Sequence, residues 1–273
     1  MDTAKLLAAL RVPPGRPADL AKRDPSGRLG LGDKQAGLVR LTEQVAELSM
    51  LSNRLWAEAQ RSLLLVLQGL DASGKDGTIR HVFTGVNPQG CRVHSFKPPA
   101  GVELVHDYLW RIHAACPARG ELGIFNRSHY EDVVTVRVRK LAPERVWKQR
   151  PAHIREFERM LADEGTTLVK VFLNVSRKEQ GKRLEERLDN PEKVWKFRRD
   201  DLENRARFDD YIAAYDEVLT ETSTEWAPWY VVPADRNWIR NLAVAELLVA
   251  SLRTIDPQLP SADPGLTGLR ITT

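Results

Sequence analysis

The sequence predicts an α/β protein built on a parallel sheet of about five strands with helices on both faces. Three observations point there. Apolar runs of strand length alternate along the chain with segments of helical period. The first run, SLLLVLQG at 62–69, is unbroken by polar alternation, as suits a strand covered on both faces. A chain of 273 residues with 42% hydrophobic content is long enough for one full core with at most a small inserted module.

Residues 1–33 hold Pro13, Pro14, Pro17 and Pro25 with several glycines, and this composition predicts an extended arm without helix or ladder. A single domain then spans 34–256. From Lys34 to Gln60, Leu38, Leu41, Val45, Leu48, Leu51, Leu55 and Trp56 recur at threes and fours, one face of a long helix. After the first strand come candidates at 92–96, 121–126, 166–174 and 228–234, separated by helical segments at 101–115, 151–165 and 237–252. The stretch 177–207 departs from the pattern: 11 Lys/Arg and 8 Asp/Glu flank a turn at Asn190 and Pro191, a charged helical hairpin inserted between the fourth and fifth strands. Residues 257–273 form a C-terminal tail.

Composition narrows the function classes. A formal charge of +4 is too mild for a nucleic-acid-coating protein, so no nucleic acid is expected as a partner and any attraction to polyanions is local. The two cysteines, Cys91 and Cys116, match no CxxC spacing, which excludes a disulfide framework or cysteine zinc site and favours a reduced, cytoplasmic setting. No secretory pattern opens the chain, and no window approaches the roughly 18 apolar residues of a membrane span. Six histidines form no HxxxH pair, and no GxSxG elbow is present, so zinc hydrolysis and triad catalysis lack their parts.

The strongest chemical signal is Gly69-Leu70-Asp71-Ala72-Ser73-Gly74-Lys75, a GxxxxGK loop directly after a strand and directly before a helix. In that setting backbone N–H groups converge on an anion while Lys75 reaches its outer phosphates. Asp76 stands where Ser or Thr is usual, with Thr78 two residues on. Asp71 would repel phosphates unless a cation lies between, so it points to Mg²⁺-bound phosphates; its other use is as a cap of loop N–H groups. At the end of the third strand, IFNRSHYEDVV places Asn126 where a Walker B carboxylate normally sits, Arg127 beside it as a planar fork for phosphate, and acid only at Glu131 and Asp132. Asn126, Ser128 and Glu131 also fit a helix cap. Residues 133–160 carry eight Lys/Arg against three Glu; Arg137, Arg139, Lys148 and Arg150 there form either a track for a long polyanion or an ordinary helix surface.

Taken together, GLDASGKDGT, NPQGCRVHSFKPP, DYLWRIH, GIFNRSHYEDV, RLDNPEKVWKF and APWYVVPADRNW strongly resemble the second family of polyphosphate kinases, from about Leu55 to Arg253. The resemblance implies a P-loop kinase fold similar to thymidylate kinase, with a helical lid over 177–207 and Mg²⁺ as cofactor. It implies reversible phosphoryl transfer between inorganic polyphosphate and nucleotides. HYED resembles the branch acting on both AMP and ADP; the family resemblance makes AMP, ADP and ATP partners, with guanine nucleotides as further candidates, and a homo-oligomer, dimer or tetramer, is also implied. By matching position, Asp71, Lys75, Arg127, Asp132, Arg183 and Arg187 carry catalysis. Gly69, Ala72, Ser73, Gly74, Asp76, Gly77, Thr78, Lys97, Asn126, Glu131, Lys196 and Arg205 bind phosphate or nucleotide. Many members have Asp where this chain has Asn126, so Asp71 and Asp132 are the expected Mg²⁺ ligands. The rival readings are an ATP-dependent nucleoside monophosphate kinase and a non-catalytic polyanion-binding module.

Overall fold

In the computed structural model, which describes residues 2–264 and 270, each apolar run named above becomes a strand. The elements in chain order are α1 (Thr3–Leu10), β1 (Arg11–Val12), α2 (Lys34–Glu58), β2 (Ser62–Gln68), α3 (Lys75–Val82), β3 (Cys91–Ser95), α4 (Trp110–Ala114), β4 (Leu122–Asn126), α5 (Glu131–Val138), α6 (Glu144–Trp147), α7 (Arg150–Asp163), β5 (Thr166–Asn174), α8 (Arg177–Leu188), α9 (Arg199–Ala206), α10 (Phe208–Thr222), β6 (Trp229–Pro233) and α11 (Asn237–Ile255). Among the described residues the sheet runs β1-β6-β5-β2-β4-β3. Its five longer strands are parallel. All seven residues of β2 are buried, because helices cover both faces of the sheet centre.

The register decides where the site forms. Leu67 of β2 pairs with Asn126 of β4, and Ser95 of β3 pairs with the same Asn126, so the loops leaving β2 and β4 emerge side by side at the carboxyl edge. That edge, where neighbouring strands send their connections in different directions, is the ligand crevice of open α/β sheets.

Three expectations are modified. A sixth strand exists: β1 adds antiparallel to β6 through Arg11↔Tyr230 and Val12↔Trp229. The first 33 residues are therefore more than an extended arm. Ahead of the prolines, Asp2 caps α1 by accepting from the Ala4 N–H at 3.3 Å, and Leu6, Leu10 and Val12 are fully buried. The proline-rich stretch is pinned too: the Leu20 N–H donates to Asp216 Oδ1 at 2.6 Å, and Arg23 donates to the Leu10 and Arg11 carbonyls. The helical period over 101–115 resolves into a 3₁₀ turn (Gly101–Val105) and then α4. The break lies at Asp107, whose carboxylate accepts from the Leu109 N–H at 2.9 Å and starts a new turn, while Val102, Leu104 and Val105 find no core to enter. Of the C-terminal tail, residues 265–269 and 271–273 lie outside the described residues. No helix among the described residues is long and apolar enough to cross a membrane.

Candidate active site

The loop between β2 and α3 is shaped by left-handed backbone at Ala72 (φ 61°) and Gly74 (φ 105°) and by Gly69 at φ 149°. At Gly69 an added Cβ would lie 2.7 Å from Ser73 Oγ and 2.9 Å from the Leu173 carbonyl, so the loop is seated on β5 with no room to spare. Ser73 Oγ is buried without a hydrogen-bond partner. Lys75 is buried, its ammonium donating to the Gly69 and Leu70 carbonyls at 2.7 and 3.1 Å. Burial and the neighbouring Arg127 push its pKa down to about 8, against the pull of Asp71, Glu131 and Asp76. Thr78 donates to the Gly74 carbonyl at 3.1 Å and closes the first turn of α3.

Asp71 sits at the centre of a donor set. Arg127 donates to its Oδ1, Asn204 donates to its Oδ2 at 2.8 Å, and Gln180 donates to its carbonyl at 3.1 Å. Burial alone would push the carboxyl up; the charges of Arg127 and Lys75 and the hydrogen bonds from Asn204 and Arg127 outweigh it and hold Asp71 below the usual carboxylate range. Arg127, itself in left-handed backbone at φ 63°, bridges Asp71 to Glu131 at 3.2 Å, and Thr135 braces Glu131 at 2.7 Å. A non-glycine residue held there carries local strain, which the ion pairs on either side retain. Asn126 donates to Asp76 at 2.9 Å, so the position usually acidic here supports the loop's own acid.

Glu131 rather than Asp132 shares Arg127 with Asp71. One residue along α5, Asp132 turns instead toward Arg111 (3.6 Å) and Arg150, in a cavity of about 590 Å³ lined also by Tyr108 and His153. Its Oδ2 is buried without a hydrogen-bond partner, and burial pushes its pKa up despite the two arginines. Among the described residues no cluster of three His, Cys, Asp or Glu could hold a metal alone. Mg²⁺ characteristically takes one or two carboxylates and completes its shell with phosphate oxygens and water, so an ionised Asp71 in the loop fits a cation that arrives with phosphates, whereas Asp132, expected as the second ligand, is turned to the arginines.

The helical hairpin is docked on this loop. Arg183 reaches from α8 to the Ala72 and Ser73 carbonyls (both 3.1 Å) and to the Ala234 and Asp235 carbonyls (2.7 and 3.0 Å). Arg205 of α9 binds the Arg177 carbonyl at 2.8 Å and Gln180 at 3.0 Å, clasping the hairpin's two helices. Lys196 lies 3.8 Å from Asp76, and half-buried Arg187 adds its charge beside Asp201. Lys97 presents an exposed side chain, while its carbonyl accepts from Arg111 at 2.7 Å.

The basic segment is less free than its composition suggests. Arg137 pairs with Glu217 at 2.5 Å, Lys148 with Glu144 at 2.6 Å, and Arg139 with Asp200 and Glu203 of the hairpin at 3.5 and 3.4 Å. Arg150 donates to the Asp132 carbonyl and lies 4.6 Å over the Tyr108 ring. Five residues that touch the site escaped the sequence reading: Arg111, Gln180, Asn204, Asn237 and Arg240. Only Arg240 left a signal, a charge within the largely apolar run of α11, where it is itself buried.

A sequence model of the family described as "Polyphosphate kinase 2 (PPK2)" matches residues 32–260. The chain is 54% identical over 254 residues to the AMP/ADP-polyphosphate phosphotransferase of Meiothermus ruber, covering 93% of this chain and 95% of that one. It is 45% identical over 236 residues to the ADP-polyphosphate phosphotransferase of Rhodopseudomonas palustris, covering 82% of each. Among solved structures, polyphosphate kinase 2 of Arthrobacter aurescens superposes with a TM-score of 0.90 at 43% identity, over 96% of this chain and 93% of that one.

Proposed function

The chain belongs to the polyphosphate kinase 2 family, and from that premise we propose that it transfers phosphoryl groups reversibly between inorganic polyphosphate and the nucleotides AMP and ADP, with Mg²⁺ as cofactor. The observation that carries the reading is the seating of Lys75, Arg127 and Arg183 around one phosphate loop, joined to a relative of that printed activity over nearly the whole chain. The terminal phosphate of a nucleotide is already an anionic nucleophile at neutral pH. Its oxygen bonds to the terminal phosphorus of polyphosphate as the P–O bond to the rest of the chain breaks, and no proton need be removed.

The protein's task is therefore alignment and charge neutralisation. Loop N–H groups and Lys75 take the donor phosphates. Arg127, oriented by Asp71 and Glu131, faces the transferring group. Arg183 and Arg187 hold the hairpin over it and exclude water, a competing acceptor. When bound with phosphates, Mg²⁺ would be held by the ionised Asp71 together with phosphate oxygens and would neutralise phosphate charge, while Asp132 faces Arg111 and Arg150 instead.

Purified protein incubated with Mg²⁺, polyphosphate and AMP should form ADP and then ATP, followed by ion-exchange chromatography. Formation of ADP only when ATP is the donor would overturn the reading in favour of a nucleoside monophosphate kinase. GMP and GDP in place of the adenine nucleotides read the acceptor range.

We further assign Arg137, Arg139, Lys148 and Arg150 to phosphates beyond those transferred. Exposed ion pairs such as Arg137–Glu217 are worth about 0–1 kcal/mol, so a polyanion can displace the acid. Arg137→Ala combined with Lys148→Ala should raise KM for long-chain polyphosphate and flatten its salt dependence, leaving kcat within about twofold because these contacts are equal in ground and transition states. An unchanged KM at every chain length would leave them as surface ion pairs.

A further inference from the structure

Arg240 reaches from α11 into the back of the phosphate loop and is 3% exposed. Among the described residues its guanidinium donates to neutral oxygens alone: Asn237 Oδ1 at 2.8 Å, the Ser73 carbonyl at 3.5 Å, and Asn241 Oδ1 at 3.0 and 3.2 Å. Among the described residues no carboxylate pairs with it. Arg183 takes two of the same acceptors, Ser73 O at 3.1 Å and Asn237 Oδ1 at 3.3 Å. Two guanidinium groups are thus held together on shared oxygens, with Glu179, 2.9 Å from Arg183, as the acid on that side of the pair. A Cβ on Gly74 would lie 1.9 Å from Arg240 Nη1, and one on Gly77 3.2 Å from Nη2. The cation therefore lies directly against the first turn of α3, at the helix end whose dipole favours an anion.

A buried charge without a counter-charge is disfavoured, and a like charge beside it adds to the cost. Burial and Arg183 push the Arg240 pKa down to about 9, which expresses the same cost. The donors needed to satisfy Ser73, Asn237 and Asn241 could come from a neutral amide. What a neutral amide cannot supply is a fixed positive field at the loop.

We propose that Arg240 is a positioning residue for the phosphoryl donor: its buried, uncompensated charge, coupled to Arg183 through Asn237, is balanced when the inorganic polyphosphate chain occupies the loop, and so sets donor affinity without touching donor or acceptor. This rests on the polyphosphate reading above. It also accounts for glycine at 74, where an added side chain would displace the guanidinium.

The test uses the full-length protein with tripolyphosphate as probe, without nucleotide, measured by calorimetry at low salt and at about 1 M salt, where the screening length is about 3 Å. Arg240→Gln should weaken binding about tenfold or more, the ratio to wild type should persist at high salt because the charge is buried, and the ligand-free protein should melt no lower than wild type. Arg240→Lys should recover most of the affinity. Asn237→Asp places an acid between the two guanidinium groups; it should raise the melting temperature of the ligand-free protein and weaken tripolyphosphate binding. Wild-type affinity in Arg240→Gln, or a loss matched by a lower melting temperature and absent from Asn237→Asp, would overturn the proposal and leave Arg240 a structural clasp. Failure of the wild-type protein itself to bind tripolyphosphate would instead overturn the polyphosphate reading, and this inference with it.

Discussion

Lys75→Ala and Asp71→Asn are each expected to lower kcat with polyphosphate and AMP by about 10²-fold or more, the scale of losing one preorganised charge at a developing anion. For Lys75 the reason is its stored position. Its buried ammonium donates to the Gly69 and Leu70 carbonyls, which hold it inside the loop it would serve. With its pKa pushed down to about 8, the free enzyme loses this proton as pH rises through about 8, so kcat/KM should fall on the alkaline side while kcat, measured with phosphates bound, persists to higher pH. For Asp71 the argument is charge. The carboxylate is held ionised by Arg127 and Lys75 in a loop that otherwise attracts anions, and an amide there keeps the shape and removes the cation ligand. Steady-state rates across a Mg²⁺ series, with circular dichroism to confirm the fold, check both. An Asp71→Asn protein with near-normal rate and unchanged Mg²⁺ dependence would show that Asp71 only caps the loop.

Lys170→Met is expected to cost about 3–5 kcal/mol of stability, the penalty for stranding one partner of a buried ion pair. Lys170 on β5 and Glu158 on α7 are both fully buried and lie 2.6 Å apart. The ammonium also donates to the Tyr130 hydroxyl at 2.9 Å and the Thr222 carbonyl at 2.7 Å, while the Tyr130 hydroxyl donates to Glu158 at 2.7 Å. Burial pushes the Glu158 carboxyl up, but Lys170 and His129 outweigh it and keep Glu158 ionised. Urea denaturation should therefore show a large drop in midpoint for Lys170→Met, part of which is recovered by adding Glu158→Gln, because the second change removes the stranded charge. Equal losses in the single and double variants would show that the cost is packing and not charge. Tyr130 and His129 precede Glu131 directly, so this buried network also fixes the turn that carries Arg127 and Glu131.

Much of this was legible from local sequence. The run at 62–69, the GxxxxGK loop after it and the helical period after that describe strand, turn and helix within a few residues of each other, and the structure has β2, the loop and α3 in that order. The leucines of α1 were equally local but were hidden by the prolines that follow, whose composition suggested an arm; helix and edge strand both end before Pro13. Over 101–115 the helical period was present, yet Asp107 competes for the backbone N–H groups and the apolar side chains find no core, so periodicity misled.

The sequence by itself determined the α/β class and the strand, GxxxxGK loop and helix with Lys75 at the loop's end, because each depends on residue type and spacing along a short stretch. Only the tertiary structure decided which charges meet at the loop and which are paired elsewhere. Asn204 reaches Asp71 across 133 positions, Arg240 reaches Ser73 across 167, and Arg137 finds Glu217 across 80. Whether an arginine is paired, exposed or buried without a counter-charge follows from strand order and helix docking, which bring together groups that no periodicity relates, and in a low-dielectric interior that placement sets what each charge can do.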